Sequence, residues 1–436
     1  GLRRMSDTIV QESSVESLRR FIAERNEPDW IREGREAALE RFQALDCPTR
    51  QDEEFRRSDV SSYDFDSYGF SIRSGANGEA ENPSGHSGTM LIDGTGTVRT
   101  TLAEGLADRG VVFLPFERAF DRHLSGAVAE MVHQTLLRGL NNADNRLSIW
   151  HYITLTHGAI LYVPRFVELS DPFLVEFDES GDDVLRSPQI VAIADEGARF
   201  TLATRAAQAG EGEVLFTEGL DIAVGNGGQI RYFGMQNVNI DSSYISNGLA
   251  TVGRDATFHG YTAVFGGLFS KYRFDAEMAG EGGDAFLGGV YFAHEDQHVD
   301  LRTVQQHSSP RAHSLTLYKG AVTDEGWSVY QGLISVDHDA LYTAAYLTNN
   351  NLILGDDAQA DSIPTLQINT DEVRCSHGST TGKLDPKQLY YLESRGLAPD
   401  EAKRLLIEGF FEEVLGHYPE TVSEEIHNVV RERIEG

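Results

Sequence analysis

The chain has almost no lysine. Five lysines stand among 436 residues, and all basic side chains number 37 against 68 acidic ones, a formal net charge of −31. Such a surface repels a polyanion, which argues against unaided nucleic-acid binding. An acidic, soluble surface suited to a high-salt cytoplasm is the plainer reading. Cysteine is nearly as scarce. Cys47 and Cys375 lie in different regions and cannot form a disulfide framework, so a reducing, cytoplasmic setting is expected. No apolar run approaches the roughly 20 residues needed to span a bilayer. Arg3, Arg4, Asp7, Glu12 and Glu16 interrupt the first apolar runs, unlike a secretory signal. A phosphate loop with its lysine is missing, and so is a Gly-x-Ser-x-Gly elbow. Gly225-Asn-Gly-Gly228 and Asp93-Gly-Thr-Gly96 read as turns. Neither ATP hydrolysis nor serine hydrolysis is therefore expected of this chain alone.

The length permits a large core and two or three domains. Residues 1–145 read as a helical region with a linker. Ser13-Ser-Val-Glu16 has the form of a capping box before Leu18, Phe21 and Ile22. Pro28-Asp29 opens a second helix carrying Ile31, Ala38, Leu39 and Phe42. Phe70–Gly88 is rich in Ser, Gly and Asn, and short helices are expected around Phe116–His123 and Val128–Leu137.

Residues 146–383 change character. Short apolar runs, beginning with Ser148–Leu155 and Ala159–Val163, alternate with turn residues. Gly197-Ala-Arg-Phe200, Gly228-Gln-Ile230, Asp255-Ala-Thr-Phe258 and Asp284-Ala-Phe-Leu287 start 27 to 31 residues apart. That spacing favours a β-solenoid over a sandwich or propeller. Residues 384–436 are helical again. Asp385-Pro386 is a helix start, Gly396 a C-cap, and Pro399-Asp400 opens a helix with Leu405, Leu406, Phe410, Phe411 and Val414.

Two patterns carry chemistry. In Asp371–Asp385, the residues Val373, Cys375 and His377 alternate onto one side of a strand, with turns at Gly378 and Gly382. Sulfur and imidazole side by side suit iron, zinc or copper, but two ligands are not a full site, so others must come from elsewhere or from another chain. The bland reading makes Cys375 a small buried hydrophobe. The second pattern, His294-Glu-Asp-Gln-His298, matches the zinc-hydrolase form with His294 and His298 as ligands and Glu295 as base, which requires a helix. The flanking runs alternate like strands, so a solvated turn is the default. A carbohydrate-cleaving solenoid is a third option. His307, His313 and His338 are read as structural, with His307 a weak candidate.

The Cys375-Ser-His377-Gly stretch, the Gln388–Gly396 and Glu401–Val414 helices, the lead-in segments Asn349–Leu354 and Ile363–Ile368, and Pro28–Ala38 near the N-terminus resemble the SufB/SufD family of SUF iron–sulfur cluster assembly scaffolds, on its SufD side. The resemblance is dense from Val299 to Val414. It departs at Leu341 and Leu347, where the family usually has glutamines. The resemblance implies a mainly β fold, a right-handed parallel β-helix flanked by N- and C-terminal helices. It implies a non-enzymatic scaffold that pairs with a SufB-like paralogue and a SufC-like ABC ATPase, or with itself when isolated. It implies a transient iron–sulfur cluster on the assembled complex, held by His377 and to a lesser degree Cys375, with no cofactor bound tightly to the isolated chain. It also implies ATPase docking on the C-terminal helices, where Leu406, Phe410, Phe411 and Val414 are the candidate contacts.

Overall fold

The computed structural model describes residues 7–435 except 26, 62–68, 71–76, 79, 94–96, 119–123, 125, 179, 182–183 and 208–209. The glycine run at 94–96, part of the linker after Phe70 and the end of the helix expected at 116–123 lie outside the described residues.

Seven α-helices are described: α1 (Asp7–Ala23), α2 (Asp29–Ala44), α3 (Gly126–Asn142), α4 (Arg146–Thr154), α5 (Pro386–Ser394), α6 (Pro399–Leu415) and α7 (Glu420–Glu435). Between α4 and α5 the chain is a parallel β-solenoid. From His157 onward, strands join two sheets in near-strict alternation, nine to sheet A (the short Val184–Arg186 among them) and eight to sheet B, from His157–Val163 to Arg374–Gly382. Sheet A ends at Gln359–Ile368 and sheet B at Arg374–Gly382. Each strand pairs in parallel with the one a full turn later, from 26 residues on (Ser243 with Phe269) to 32 (Trp327 with Gln359). Earlier strands extend the sheets: Gly88–Ile92 pairs parallel with Phe173–Asp178, and Val112–Pro115 antiparallel with His157–Val163. The region expected to be helical thus also supplies the solenoid's first strands.

One turn position explains the repeat. Phe166, Gly197, Gly227, Asp255, Gly282, Arg311 and Tyr342 all have φ between 52° and 72° and enter successive sheet B strands. The N–H of each donates to a carbonyl of the next turn, as in Gly227 to Arg254 and Arg311 to Leu341. Glycine accepts this left-handed conformation without strain, whereas other residues cost about 1 kcal/mol. Asp284, read as a repeat start, pairs with Thr257 and so lies two residues past the turn position, which Gly282 occupies.

The lumen between the sheets is packed with apolar and aromatic side chains, including Phe173, Leu202, Ile230, Phe258, Phe274 and Tyr330. Phe258 and Phe274 stack with centroids 5.6 Å apart. Gly248 makes room for that stack, since a Cβ there would come within 2.3 Å of Phe274. The helices cover the outer faces. α1 to α4 lie on sheet A over Ile160, Val191, Leu215 and Ile245. α6 and α7 lie on sheet B over Phe233, Tyr261, Phe286 and Phe292.

Two local expectations change. α1 already runs from Asp7, so the Ser13–Glu16 capping pattern lies inside it. Ser148–Leu155, read as a strand, is mostly α4. Asn145 accepts from the Ser148 N–H while the Ser148 hydroxyl reaches back to the Asn145 N–H. All nine residues of α4 are buried, and a helix buried all round has no amphipathic period to announce it.

Candidate functional site

The solenoid ends openly. The last strand of sheet B, Arg374–Gly382, pairs on one side with Ala344–Leu352 and, among the described residues, has no strand on the other. Gln359–Ile368 is likewise the terminal strand of sheet A. Cys375 stacks over Ala345 and His377 over Leu347, both buried in the turn below. The parity expected from alternation therefore aims both toward the lumen side. No further turn covers them among the described residues, so depth separates the two. Cys375 is half-buried against the core beside Val373, and burial pushes its thiol pKa up. His377 is exposed. A half-buried, protonated thiol is a poor ligand, whereas an exposed imidazole is an available one. Among the described residues no group of three His, Cys, Asp or Glu is placed to hold a metal ion.

The C-terminal helices sort the other candidates. Asp385 caps α5 by accepting from the Lys387 N–H, with Pro386 at the first helical position. Phe411 and Val414 are fully buried against sheet B, together with Ile407 and Leu415. They hold α6 in place and are not on offer to a partner, which corrects the face drawn from sequence. Leu406 and Phe410 are half-buried. The Phe410 ring lies under the Lys319 ammonium at 4.7 Å, and its carbonyl accepts from that ammonium at 2.9 Å. The exposed apolar surface here is Tyr390, Tyr391 and Leu405. Adjacent aromatics such as Phe410 and Phe411 cannot both face one way on a helix, and only the packing on sheet B shows which is inside.

His294 to Gln297 is a turn between strands Asp284–Ala293 and His298–His307, with Glu295 at φ 52° and His298 already in the second strand. The helix that the zinc-hydrolase pattern requires is absent. His294 sits toward Arg433 of α7, while His298 stacks on Phe269 and hydrogen-bonds Ser58 at 2.9 Å on the opposite flank. The hydrolase alternative has no geometry behind it. His307 is buried, bonded to Ser314 at 2.8 Å, and held by burial at a pKa of about 4. His313 and His259 both bond Asp284, on the outer face of sheet B.

Sequence reasoning missed the buried charges. Glu218 lies wholly inside the lumen, accepting only the Tyr244 hydroxyl, and burial pushes its pKa up to about 7. Asp221, on the other face of the same strand, accepts from Tyr152 of α4 at 3.0 Å. Two carboxylates within the apolar run Val214–Val224 were the available signal. A short segment after α2, including Glu53–Phe55, is clamped to sheet A. Lys271 contacts Asp300 at 3.0 Å, Glu54 at 3.4 Å and the Phe55 ring at 4.8 Å. Gln331 donates to the Glu54 carbonyl at 2.8 Å.

Comparison with known proteins agrees with this architecture. Residues 177–410 match the family model for the SUF system FeS cluster assembly SufBD core domain. An iron–sulfur cluster assembly SufBD family protein of Mycobacterium leprae is 38% identical over 183 residues, 40% of this chain and 47% of that protein. The matching stretch thus spans about half the length of such curated relatives. The iron–sulfur cluster assembly protein SufD of Escherichia coli is 34% identical over 160 residues, 37% of this chain and 38% of that protein. SufD of Bacillus subtilis is 23% identical over 430 residues, 96% of this chain and 97% of that protein. With the core model matching more than half its length, the chain belongs to the SufBD family of iron–sulfur cluster assembly proteins.

Proposed function

We propose that this chain is a SufD-like, non-enzymatic scaffold subunit working with a SufB-like paralogue and a SufC-like ABC ATPase in the cytoplasm. The observation that carries the reading is the open end of the solenoid. Both sheets end there in terminal strands, and an unpaired strand edge is a template for another chain. Leu366 and Ile368 are exposed on the sheet A edge, where a partner's strands would cover them. His377 lies on the same rim, so a nascent iron–sulfur cluster carried as cargo would sit between subunits, with the remaining ligands supplied by the paralogue. Cys375 serves there mainly as packing.

The ATPase would dock on α5 and the near end of α6. α5 has no buried residue, and Tyr390, Tyr391, Leu405, Leu406 and Phe410 form its accessible apolar neighbourhood. Co-expression of the three chains tests the assembly. The full complex is expected to co-purify. Tyr390→Ser with Leu405→Ser is expected to release the ATPase while keeping the paralogue. A complex that retains the ATPase at wild-type stoichiometry in this variant contradicts the docking face.

A further inference from the structure

A cavity of about 610 Å³ opens beside the sheet A edge and has no part in the site above. One wall is the segment from the end of α2 through Glu53–Phe55, with Asp46, Asp52 and Glu53 exposed along it. The opposite wall is the terminal strand itself, through Ile363, Thr365 and Gln367. Arg302 and Gln331 lie between. The carboxylates of this lining divide into two sets. Glu54 is held by Lys271, Arg273 and Arg302, and Asp144 by Arg273 at 2.6 Å. Asp52 accepts from the Thr49 N–H. Asp46, which faces the Arg146 guanidinium, and Glu53 are exposed at the mouth. The Arg302 Nε is buried without a hydrogen-bond acceptor, its nearest carboxylate oxygen on Glu54 being 3.8 Å away.

We infer that this cavity receives a basic, extended segment of the SufB-like paralogue, so that the N-terminal strap and the solenoid end form one continuous interface. The inference rests on the end-to-end pairing proposed above. Anything that adds to the strand Gln359–Ile368 passes over the mouth of the cavity, because that strand is its wall. A polypeptide offers both groups the lining asks for. A backbone carbonyl meets the partly exposed Arg302 guanidinium, and lysine or arginine side chains meet Asp46 and Glu53. A small anion would satisfy Arg302 but meet repulsion at the rim, and a lone metal ion would leave the Arg302 donor orphaned.

The test measures affinity of the intact chain for a SufB-like paralogue by calorimetry. The rim variant is Asp46→Lys with Glu53→Lys, and the edge variant is Leu366→Asp with Ile368→Asp. The rim variant is expected to weaken binding at least tenfold, and the edge variant to abolish it. The neutral pair Asp46→Asn with Glu53→Gln, expected to lose severalfold affinity and part of the salt dependence, decides the matter should the lysine pair unfold. An abolished edge variant beside an unchanged rim variant overturns the cavity inference and leaves the pairing intact. Unchanged binding in both removes the end-to-end pairing itself. Loss at the rim alone contradicts the shared interface.

Discussion

At the scale of single residues, the lumen sets the sharpest constraint. Glu218 has one hydroxyl donor and no cation. Its folded pKa, about 7, stands above its ordinary value of 4.5, so the folded state holds a proton that the unfolded chain releases. Stability from this group is complete below pH 4.5, falls as pH rises, and levels off above 7. Glu218→Gln keeps a neutral group of the same shape. The variant is expected to match the wild type in urea unfolding at pH 4.5 and to exceed it by about 3 kcal/mol at pH 8. Equal stabilities at both pH values would show that Glu218 ionises freely. This group was not legible as a site, because alternation marks which face a side chain occupies but not whether another chain segment covers it. The same limit governed the rim. The alternation of Cys375 and His377 was read correctly, yet their opposite depths follow from being on the last turn. Phe411 and Val414 show the converse. Their apolar character was plain, but which side of α6 meets sheet B depends on Phe233, Tyr261 and Phe286, far away in sequence.

Elements are held by two devices that recur. The first is the left-handed turn column. Gly197 and Asp255 made the middle of the repeat visible, with Gly228 and Asp284 read one and two residues past the column, while Phe166, Arg311 and Tyr342 at the same position concealed the outer turns. Gly227 isolates the backbone term, since a Cβ there meets nothing within 4 Å. Gly227→Ala is expected to cost about 1 kcal/mol in denaturant unfolding from conformation alone. No measurable loss would mean that the turn relaxes to another geometry. The second device is a buried lysine beneath each flanking helical region. Lys271 clamps the Glu54–Phe55 segment to sheet A, and Lys319 clamps α6 to sheet B through the Phe410 carbonyl and Glu413. Lys271→Met leaves Asp300 and Glu54 facing each other without their ammonium. A loss of about 3 kcal/mol is expected, with the N-terminal helices first to lose amide-exchange protection. A loss below 1 kcal/mol would show that Arg273 and Arg302 suffice. With so few lysines in the chain, finding two of them buried was not something composition announced.

The whole molecule combines a long parallel core with an acid-rich surface. Self-repulsion from a net charge of −31 opposes the compact state and is screened by salt. The melting temperature is therefore expected to rise by several degrees between about 0.05 and 1 M salt, as followed by circular dichroism, and a flat profile would mean that the surface carboxylates are already compensated. The solenoid class was legible at this scale, because a turn of 26 to 32 residues leaves a period in the sequence even where individual strands blur. The α4 helix was not, being buried on every side.

The central claim is that the open solenoid end, through His377, takes part in holding a nascent iron–sulfur cluster between paired scaffolds. The most direct measurement is the cluster absorbance and iron content of the co-expressed complex, wild type beside His377→Ala and Cys375→Ala. His377→Ala is expected to leave folding and assembly nearly unchanged, since an exposed substitution costs under about 0.5 kcal/mol, and to lose most of the cluster signal. Cys375→Ala is expected to keep most of the cluster and to show a modest loss of stability. Wild-type cluster content in an intact His377→Ala complex would contradict the account.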